Sequence, residues 1–275
     1  KSMPELHRIQ NPAKNLKFQV KNKGIQYFLT MEEWQKKVLN YVETQFKCNS
    51  QILHDDLIYT INWLKEWGCS RSFGLGTKLP FDNKYLIESL SDSTIYFAFY
   101  TFAHLLQGNL DGSEVGVLGI RHEDITSDFW DFVLLGKEYT SKKIPQYKLD
   151  KVRESFLYWY PMDLRCSGKD LIGNHLTMSL YNHAAIWNDQ NKMPRGFFCN
   201  GWMLFNDKPM SKSKGNFITL SDCVDHYSAD VSRITLADSG DTLDDGNFKE
   251  VNANATILKL FNLGQWMEGE LKKLD

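Results

Sequence analysis

Three observations predict an α/β fold. Residues 158 to 187, YWYPMDLRCSGKDLIGNHLTMSLYNHAAIW, read as strand, tight turn and helix. There Met162, Leu164 and Cys166 alternate with Asp163 and Arg165, and after Ser167-Gly168 the residues Ile172, Leu176, Leu180, Ala184 and Trp187 recur every three or four positions. Short strand-like runs, GIQYFL and GFFCNGWMLFND, also alternate with helically periodic segments. Finally, the 275 residues are 42% hydrophobic and 24% charged, a balance that buries a sizeable core.

Residues 1 to 24 are basic, interrupted by proline and weakly periodic, so they predict an irregular or partly strand-like entry. The strand GIQYFL follows. Thr30 and Glu33 form a capping box for a helix running through Trp34, Val38, Leu39 and Val42 to about Phe46. A second helix is predicted from Asp56 to Trp67, stopped by Gly68. The glycine-punctuated stretch from Cys69 to Phe81 reads as a loop. Its GLGTK lacks the GxxxxGK[ST] spacing, and GxGxxG occurs nowhere, which excludes a P-loop or dinucleotide fingerprint.

Residues 88 to 108 open with cap-forming Ser and Asp and run into Ile95, Phe99, Phe102 and Leu106, a helical period. Leu90 and Ser93 stand three apart and share a face. They either line a small pocket or serve as core residue and helix cap. A glycine-rich loop, a short helix near Ser127 to Leu135 and a solvated connector carrying Lys142, Lys143 and Lys148 come next.

In the block at 158 to 187 the turn lies at the carboxyl end of its strand, where open α/β sheets bind ligands and a helix N-terminus favours anions. Asp170 is placed either to cap that helix or to accept hydrogen bonds from a ribose. His175 and His183 fall on another side of the helix from the apolar ridge, and a lone helical histidine is more often structural than catalytic.

The most distinctive stretch is DKPMSKSKGNFITL, residues 207 to 220. Lys208, Lys212 and Lys214, interleaved with Ser211 and Ser213 and followed by Gly215 and Asn216, concentrate ammonium and hydroxyl donors on one loop. Such a set suits phosphate oxygens, and glycine lets the backbone approach a ligand closely. Beyond it, Ser221 and Ser228 are predicted to cap two helices, and an acidic loop, DSGDTLDDGN, leads to a last helix with Val251, Ala255, Leu258, Phe261 and Trp266 on its apolar side.

A net charge of -2 argues against a wholly basic nucleic-acid binder, so RNA contacts would use local patches. No apolar run approaches 18 residues and the first residues are too polar for a signal peptide, which predicts a soluble, cytoplasmic protein. The five scattered cysteines show neither CxxC pairing nor ligand spacing and predict free thiols without a protein-held metal.

MSKSKGN resembles the KMSKS signature of the class I aminoacyl-tRNA synthetases. Together with WGCSRSFGLGTKLPF, IESLSDSTIY, WYPMDLRCSGKDLIGNHL and SADVSRITLADSGDTLDDGNF, in that order, it makes the chain look like a leucyl-tRNA synthetase of the eukaryotic cytosolic and archaeal type. The resemblance implies the second half of a Rossmann-like catalytic domain over residues 25 to 190, an MSKS loop region over 191 to 228 and the beginning of a helical anticodon-binding domain over 229 to 275. It implies ATP, with magnesium as part of that substrate, leucine and tRNA(Leu) as ligands. Leu90, Ser93 and His175 then take leucine-side positions, Gly168 and Asp170 the ribose-side turn, and Met210, Ser211, Lys212 and Ser213 the ATP loop, with Lys212 as the catalytic lysine.

Two residues depart from the family pattern. The signature's first lysine falls on Pro209, with Lys208 displaced by one position, and Trp202 stands where relatives commonly carry histidine. The family's other ATP signature, a HIGH-like sequence, is absent, and residues 1 to 24 match poorly, where the chain would return from an editing insertion. The expectation is about the second half of a catalytic core, inactive by itself and needing an N-terminal half, with editing and anticodon-binding regions as further partners. The alternative is a synthetase-like RNA- or protein-binding module that does not activate leucine.

Overall fold

The computed structural model describes residues 16–21, 24–30, 32–79, 81–187, 189–240 and 244–273, with side chains from residue 34 onward. Most of the predicted entry segment, the Thr30–Glu33 capping box and part of the acidic loop lie outside that description. The chain divides into two compact units: residues 1–165 with 171–197, and residues 166–170 with 198–275. Among the described residues no helix is long and apolar enough to cross a membrane. The five cysteines are free thiols.

The first unit carries the antiparallel strands Leu16–Lys21, Gly24–Thr30 and Glu66–Gly68. The helix Glu32–Thr44 packs on Gln51–Trp63 through Val38, Val42, Leu53, Leu57 and Ile61, all buried. Burying an aliphatic side chain of this size contributes about 1.5 to 3 kcal/mol. The second helix begins five residues before the predicted Asp56, because Ser50 caps it by accepting the Leu53 N–H. It ends at Trp63, since Trp67 belongs to a strand paired with Gly24–Thr30.

The predicted loop from Cys69 to Phe81 contains two short strands, Ser70–Arg71 and Lys78–Leu79, which flank Asp82–Ile87. Gly76 is required there: its φ is +139° and a Cβ would meet the Ile87 carbonyl oxygen at 2.1 Å. The predicted helix over 88 to 108 is broken into Ser89–Asp92, Ser93–Ile95, Tyr96–Phe99 and Ala103–Leu106. Hydroxyls along it donate to nearby carbonyls, Ser93 to Ser89, Thr94 to Ser91 and Thr101 to Ala98, in competition with a regular helical ladder.

A helix at Gln146–Trp159 occupies part of the predicted connector. Its Leu149, Val152 and Phe156 are fully buried among Phe102, Phe129, Val133 and Trp187, so only Lys142 and Lys143 stay on exposed chain outside it. The strand of the 158–187 block is Arg165–Gly168, later than predicted. Leu164 is 56% exposed and Ser167-Gly168 are strand residues, not the turn. Alternation marks extended backbone, but only a hydrogen-bonding neighbour makes it a strand. The helix beyond, Ile172–Leu176 continuing as Thr177–Ile186, buries most of its residues, His175 and His183 included, while Gly173 is exposed.

In the second unit the core is Cys223, Tyr227, Val231, Phe248 and Ala253, with Met203, Phe205, Ile218 and Leu260 packed against it. Strand Met203–Phe205 pairs in parallel with Gly246–Phe248 and antiparallel with Lys208–Pro209. The helix Leu220–Tyr227 is capped by Thr219, whose hydroxyl accepts the Asp222 N–H, two residues before the predicted Ser221. Ser228 caps Ala229–Ser239 as its sequence position predicts. The last helix, Glu250–Leu271, buries Ala253 and Thr256, whereas Leu258, Phe261 and Trp266 are 61%, 63% and 61% exposed. The predicted apolar face is real, but within the described residues it is not the face that packs.

Candidate functional site

The candidate residues form two constellations, one in each unit. In the first, strand Asp82–Ile87 delivers the chain to the helical turn Ser89–Asp92. Glu88 fixes that turn, its Oε2 accepting from the Ser91 N–H at 3.1 Å and the Ser91 hydroxyl at 2.9 Å. Asp92 ties it to the neighbouring loop by accepting from the Thr77 N–H and hydroxyl, both at 2.9 Å.

On this turn Leu90 and Ser93 meet His175. The Nδ1 of His175 lies 3.1 Å from the Leu90 carbonyl oxygen and 3.3 Å from the Ser93 hydroxyl. A carbonyl can only accept, so Nδ1 carries the proton and Nε2 bears the lone pair of the neutral ring. The Ser93 hydroxyl donates to the Ser89 carbonyl at 2.9 Å and can therefore accept from His175. Burial lowers the His175 pKa, with the Arg165 charge acting in the same direction, and outweighs the Leu90 carbonyl and Glu88 that favour the charged ring. The imidazole is thus neutral near pH 7.

Tyr96 completes this group and was not singled out from sequence. Its ring stacks on His175, centroids 5.7 Å apart and planes 4° from parallel, with the Arg165 guanidinium 5.7 Å from the tyrosine centroid. The available signal was spacing: Tyr96 follows Ser93 by three residues, as Ser93 follows Leu90. His183 is a different kind of histidine. It is fully buried, its Nδ1 donates to the Ser179 carbonyl at 2.6 Å, and burial pushes its pKa down to about 4.

The second constellation is the MSKS loop and the turn after Arg165–Gly168. The loop springs from a hairpin whose corner residues, Asn206 and Asp207, both have positive φ, 47° and 66°. Asn206 exchanges hydrogen bonds with Glu250, and Asp207 accepts from Asn247 and Lys249, each at 2.7 Å. Pro209 sits on the outer strand, opposite Leu204, at the edge of this sheet where a missing N–H is tolerated.

Residues 211 to 216 then close on themselves: the Ser211 N–H donates to the Asn216 carbonyl at 2.9 Å and the Asn216 N–H to the Ser211 carbonyl at 3.2 Å. Gly215 turns the chain at φ +67°. The Asn216 side-chain amide donates to the carbonyls of Phe205, Lys208 and Pro209 at 3.3, 3.3 and 3.1 Å, fastening the loop to its hairpin. The frame is closed by hydrogen bonds while its cations face outward. Lys208, Lys212 and Lys214 are exposed, and none forms an ion pair among the described residues.

Gly168 and Asp170 belong to the same unit. An Asp170 Oδ1 lies 2.6 Å from where a Gly168 Cβ would stand, so a side chain at 168 would collide with it. Between them Lys169 reaches Asp245 with its Nζ 2.7 Å from Oδ1. Neither Lys169 nor Asp245 was singled out from sequence, because nothing local pairs residues so far apart in the chain.

Residues 137–261 match the family described as "tRNA synthetases class I (M)", which marks this part of the chain as class I tRNA synthetase sequence. Within that class its sequence is related to the leucine–tRNA ligases. It is 46% identical over 244 residues to the cytoplasmic leucine–tRNA ligase of Dictyostelium discoideum, covering 88% of this chain and 23% of that protein. The corresponding Pongo abelii protein is 51% identical over 219 residues, covering 78% and 19%, and that of Saccharomyces cerevisiae 44% over 238 residues, covering 86% and 22%. The chain therefore spans about a fifth of the length of these relatives. In fold it is similar to Mycobacterium tuberculosis methionyl-tRNA synthetase in complex with methionyl-adenylate, with a TM-score of 0.51 at 19% identity, covering 85% of this chain and 37% of that one.

Proposed function

We propose that the chain is part of a cytoplasmic leucine–tRNA ligase that activates leucine with ATP and transfers it to tRNA(Leu). In this reading residues 25 to 190 form the second half of the nucleotide-binding domain, 191 to 228 the MSKS region and 229 to 275 the start of the anticodon-binding domain. The remaining synthetase regions, including a half with a HIGH-type sequence, act with it.

The observation that carries the reading is the hydrogen-bonded loop with three exposed lysines that no described carboxylate neutralises. Uncompensated ammonium groups on a fixed frame attract a polyphosphate without first breaking internal ion pairs. ATP brings its magnesium as part of the substrate. A leucine carboxylate oxygen attacks the α-phosphorus, the bond to the bridging oxygen breaks, and pyrophosphate departs. Lys212 stabilises the charge developing on that leaving group, a contribution of about 1.5 to 3 kcal/mol for one charge-assisted hydrogen bond. A tRNA ribose hydroxyl then attacks the leucyl carbonyl and AMP leaves.

Leu90, Ser93 and His175 are assigned to leucine, with Gly168 and Asp170 on the ribose side and Met210, Ser211 and Ser213 flanking Lys212. The neutral His175 suits an apolar side-chain pocket, since a charged imidazole there would cost desolvation. Leucine-dependent ATP–pyrophosphate exchange by the complete protein tests the reading; no exchange by a folded, complete protein overturns it. Pro209 in place of the signature lysine favours the second reading, an RNA- or protein-binding module, and retained tRNA binding without exchange would establish it.

A further inference from the structure

One oxygen of Asp245 holds two partners. Its Oδ1 accepts from Lys169 Nζ at 2.7 Å and from the Trp202 backbone N–H at 2.8 Å. The Lys169 ammonium also lies 5.4 Å from the Trp202 ring centroid, so that lysine, indole and carboxylate form one group. Gly201 admits it: a Cβ at 201 would stand 2.6 Å from the Asp245 Cα and 2.7 Å from its nitrogen. Both donors hold the Asp245 carboxyl below the usual carboxylate range, Lys169 contributing more than Trp202.

The position of this group in the sheet gives it a use. Asp245 and Trp202 immediately precede the parallel strands Gly246–Phe248 and Met203–Phe205. The strand Lys208–Pro209 runs back from Phe205 to Leu204, heading toward the Trp202 end as the chain enters the MSKS loop. Lys169 sits between Gly168 and Asp170 in the candidate ribose-side turn. Its charge is taken up by Asp245, whereas Lys208, Lys212 and Lys214 pair with no described carboxylate. A neutralised lysine is a fastening, whereas a free one is an anion receptor.

We propose that Asp245 is a positioning residue for the nucleoside half of the ATP site: it pins the 168–170 turn and Trp202 to each other, while the MSKS lysines take the polyphosphate. This rests on reading the lysine loop as a polyphosphate site. Half-exposed ion pairs are weak because water screens them, so the expected effect is a change in affinity of about three- to fivefold.

The test is calorimetric titration of the complete protein with magnesium ATP and, separately, with magnesium tripolyphosphate, which has no nucleoside. Asp245→Asn keeps the side-chain shape and removes the charge. It is expected to weaken ATP binding three- to fivefold and leave tripolyphosphate binding within twofold. Lys169→Met, a surface change from the other side of the pair, should do the same, and the double variant should be no worse than either single one. Equal losses for both probes, unchanged ATP binding in both variants, or additive losses overturn the proposal. Tripolyphosphate binding that Lys212→Ala does not weaken, or no binding of either probe to the complete unaltered protein, overturns the loop reading and the inference with it.

Discussion

The proton on His175 Nδ1 points at the carbonyl oxygen of Leu90, 3.1 Å away in a chain that separates the two by 85 residues. That bond fixes the ring's tautomer and orientation, and Tyr96 stacks on its face. It also joins the broken helix of 89–99 to the buried segment of 172–176, which makes the candidate leucine pocket a property of tertiary packing.

His175→Phe keeps a ring to pack against Tyr96 but leaves the Leu90 carbonyl without this donor. A lost buried hydrogen bond costs about 1 to 2 kcal/mol, so the leucine KM of the complete enzyme is expected to rise about tenfold with the ATP KM changed less than threefold. Ser93→Ala and Leu90→Ala should show the same asymmetry. Equal rises in both constants would indicate general damage to the fold.

His183 predicts a pH dependence of stability. Its pKa is pushed down to about 4 by burial, against an ordinary value of 6.5. Between those values the unfolded chain binds a proton that the folded chain refuses, so stability falls as pH drops from 6.5 toward 4 and is level in this respect above 6.5. The full effect is about 3 kcal/mol. Urea unfolding at a series of pH values should give a shallower slope for His183→Phe than for the unaltered chain across that window. Identical slopes would mean that His183 is not the buried base.

Local chemistry explains which parts were legible in the sequence. Ser228, a cap residue ahead of an apolar period, capped the helix expected of it, and the MSKS stretch declared its lysines outright. The Gln146–Trp159 helix was readable in Leu149, Val152 and Phe156, three apart and then four, but the surrounding lysines suggested solvated chain. Other features were not local at all. Tyr96 acquires its role from His175, and Asp245 from Lys169, across sequence separations of 79 and 76 respectively, positions that no short-range period relates. The exposed side of Glu250–Leu271 shows the converse, because an apolar stripe specifies a face but not its cover.

Gly201→Ala should be destabilising for a reason confined to one contact. The added methyl would meet the Asp245 backbone at 2.6 and 2.7 Å, and backbone atoms cannot rotate away as a side chain could. Overpacking of this kind costs about 1 to 3 kcal/mol. Thermal unfolding should report that loss, while Gly264→Ala, where a Cβ meets nothing within 4 Å, should be neutral or slightly stabilising because alanine favours a helix interior. Equal melting points for the two variants would mean that the Gly201–Asp245 contact is looser than described.

Lys212 carries the sharpest expectation for catalysis. It lies in a short helical turn, Lys212–Lys214, inside a loop closed by Ser211 and Asn216, so the backbone geometry does not depend on its side chain. Lys212→Ala should therefore leave the melting point unchanged. If its ammonium meets charge that grows on departing pyrophosphate, the missing interaction is worth more in the transition state than in the bound substrate. At about 1.5 to 3 kcal/mol, kcat for leucyl-adenylate formation in the complete enzyme falls roughly ten- to a hundredfold, with a smaller change in the leucine KM. Asn216→Ala provides the complementary case, since it leaves all three lysines in place but removes the amide that fastens the loop to Phe205, Lys208 and Pro209. Its expected loss is smaller, and the Ser211 amide should exchange faster with solvent deuterium as the loop loosens. A Lys212→Ala enzyme with unchanged kcat and an Asn216→Ala enzyme with an impaired one would assign the loop to shape rather than charge and remove Lys212 from the reaction.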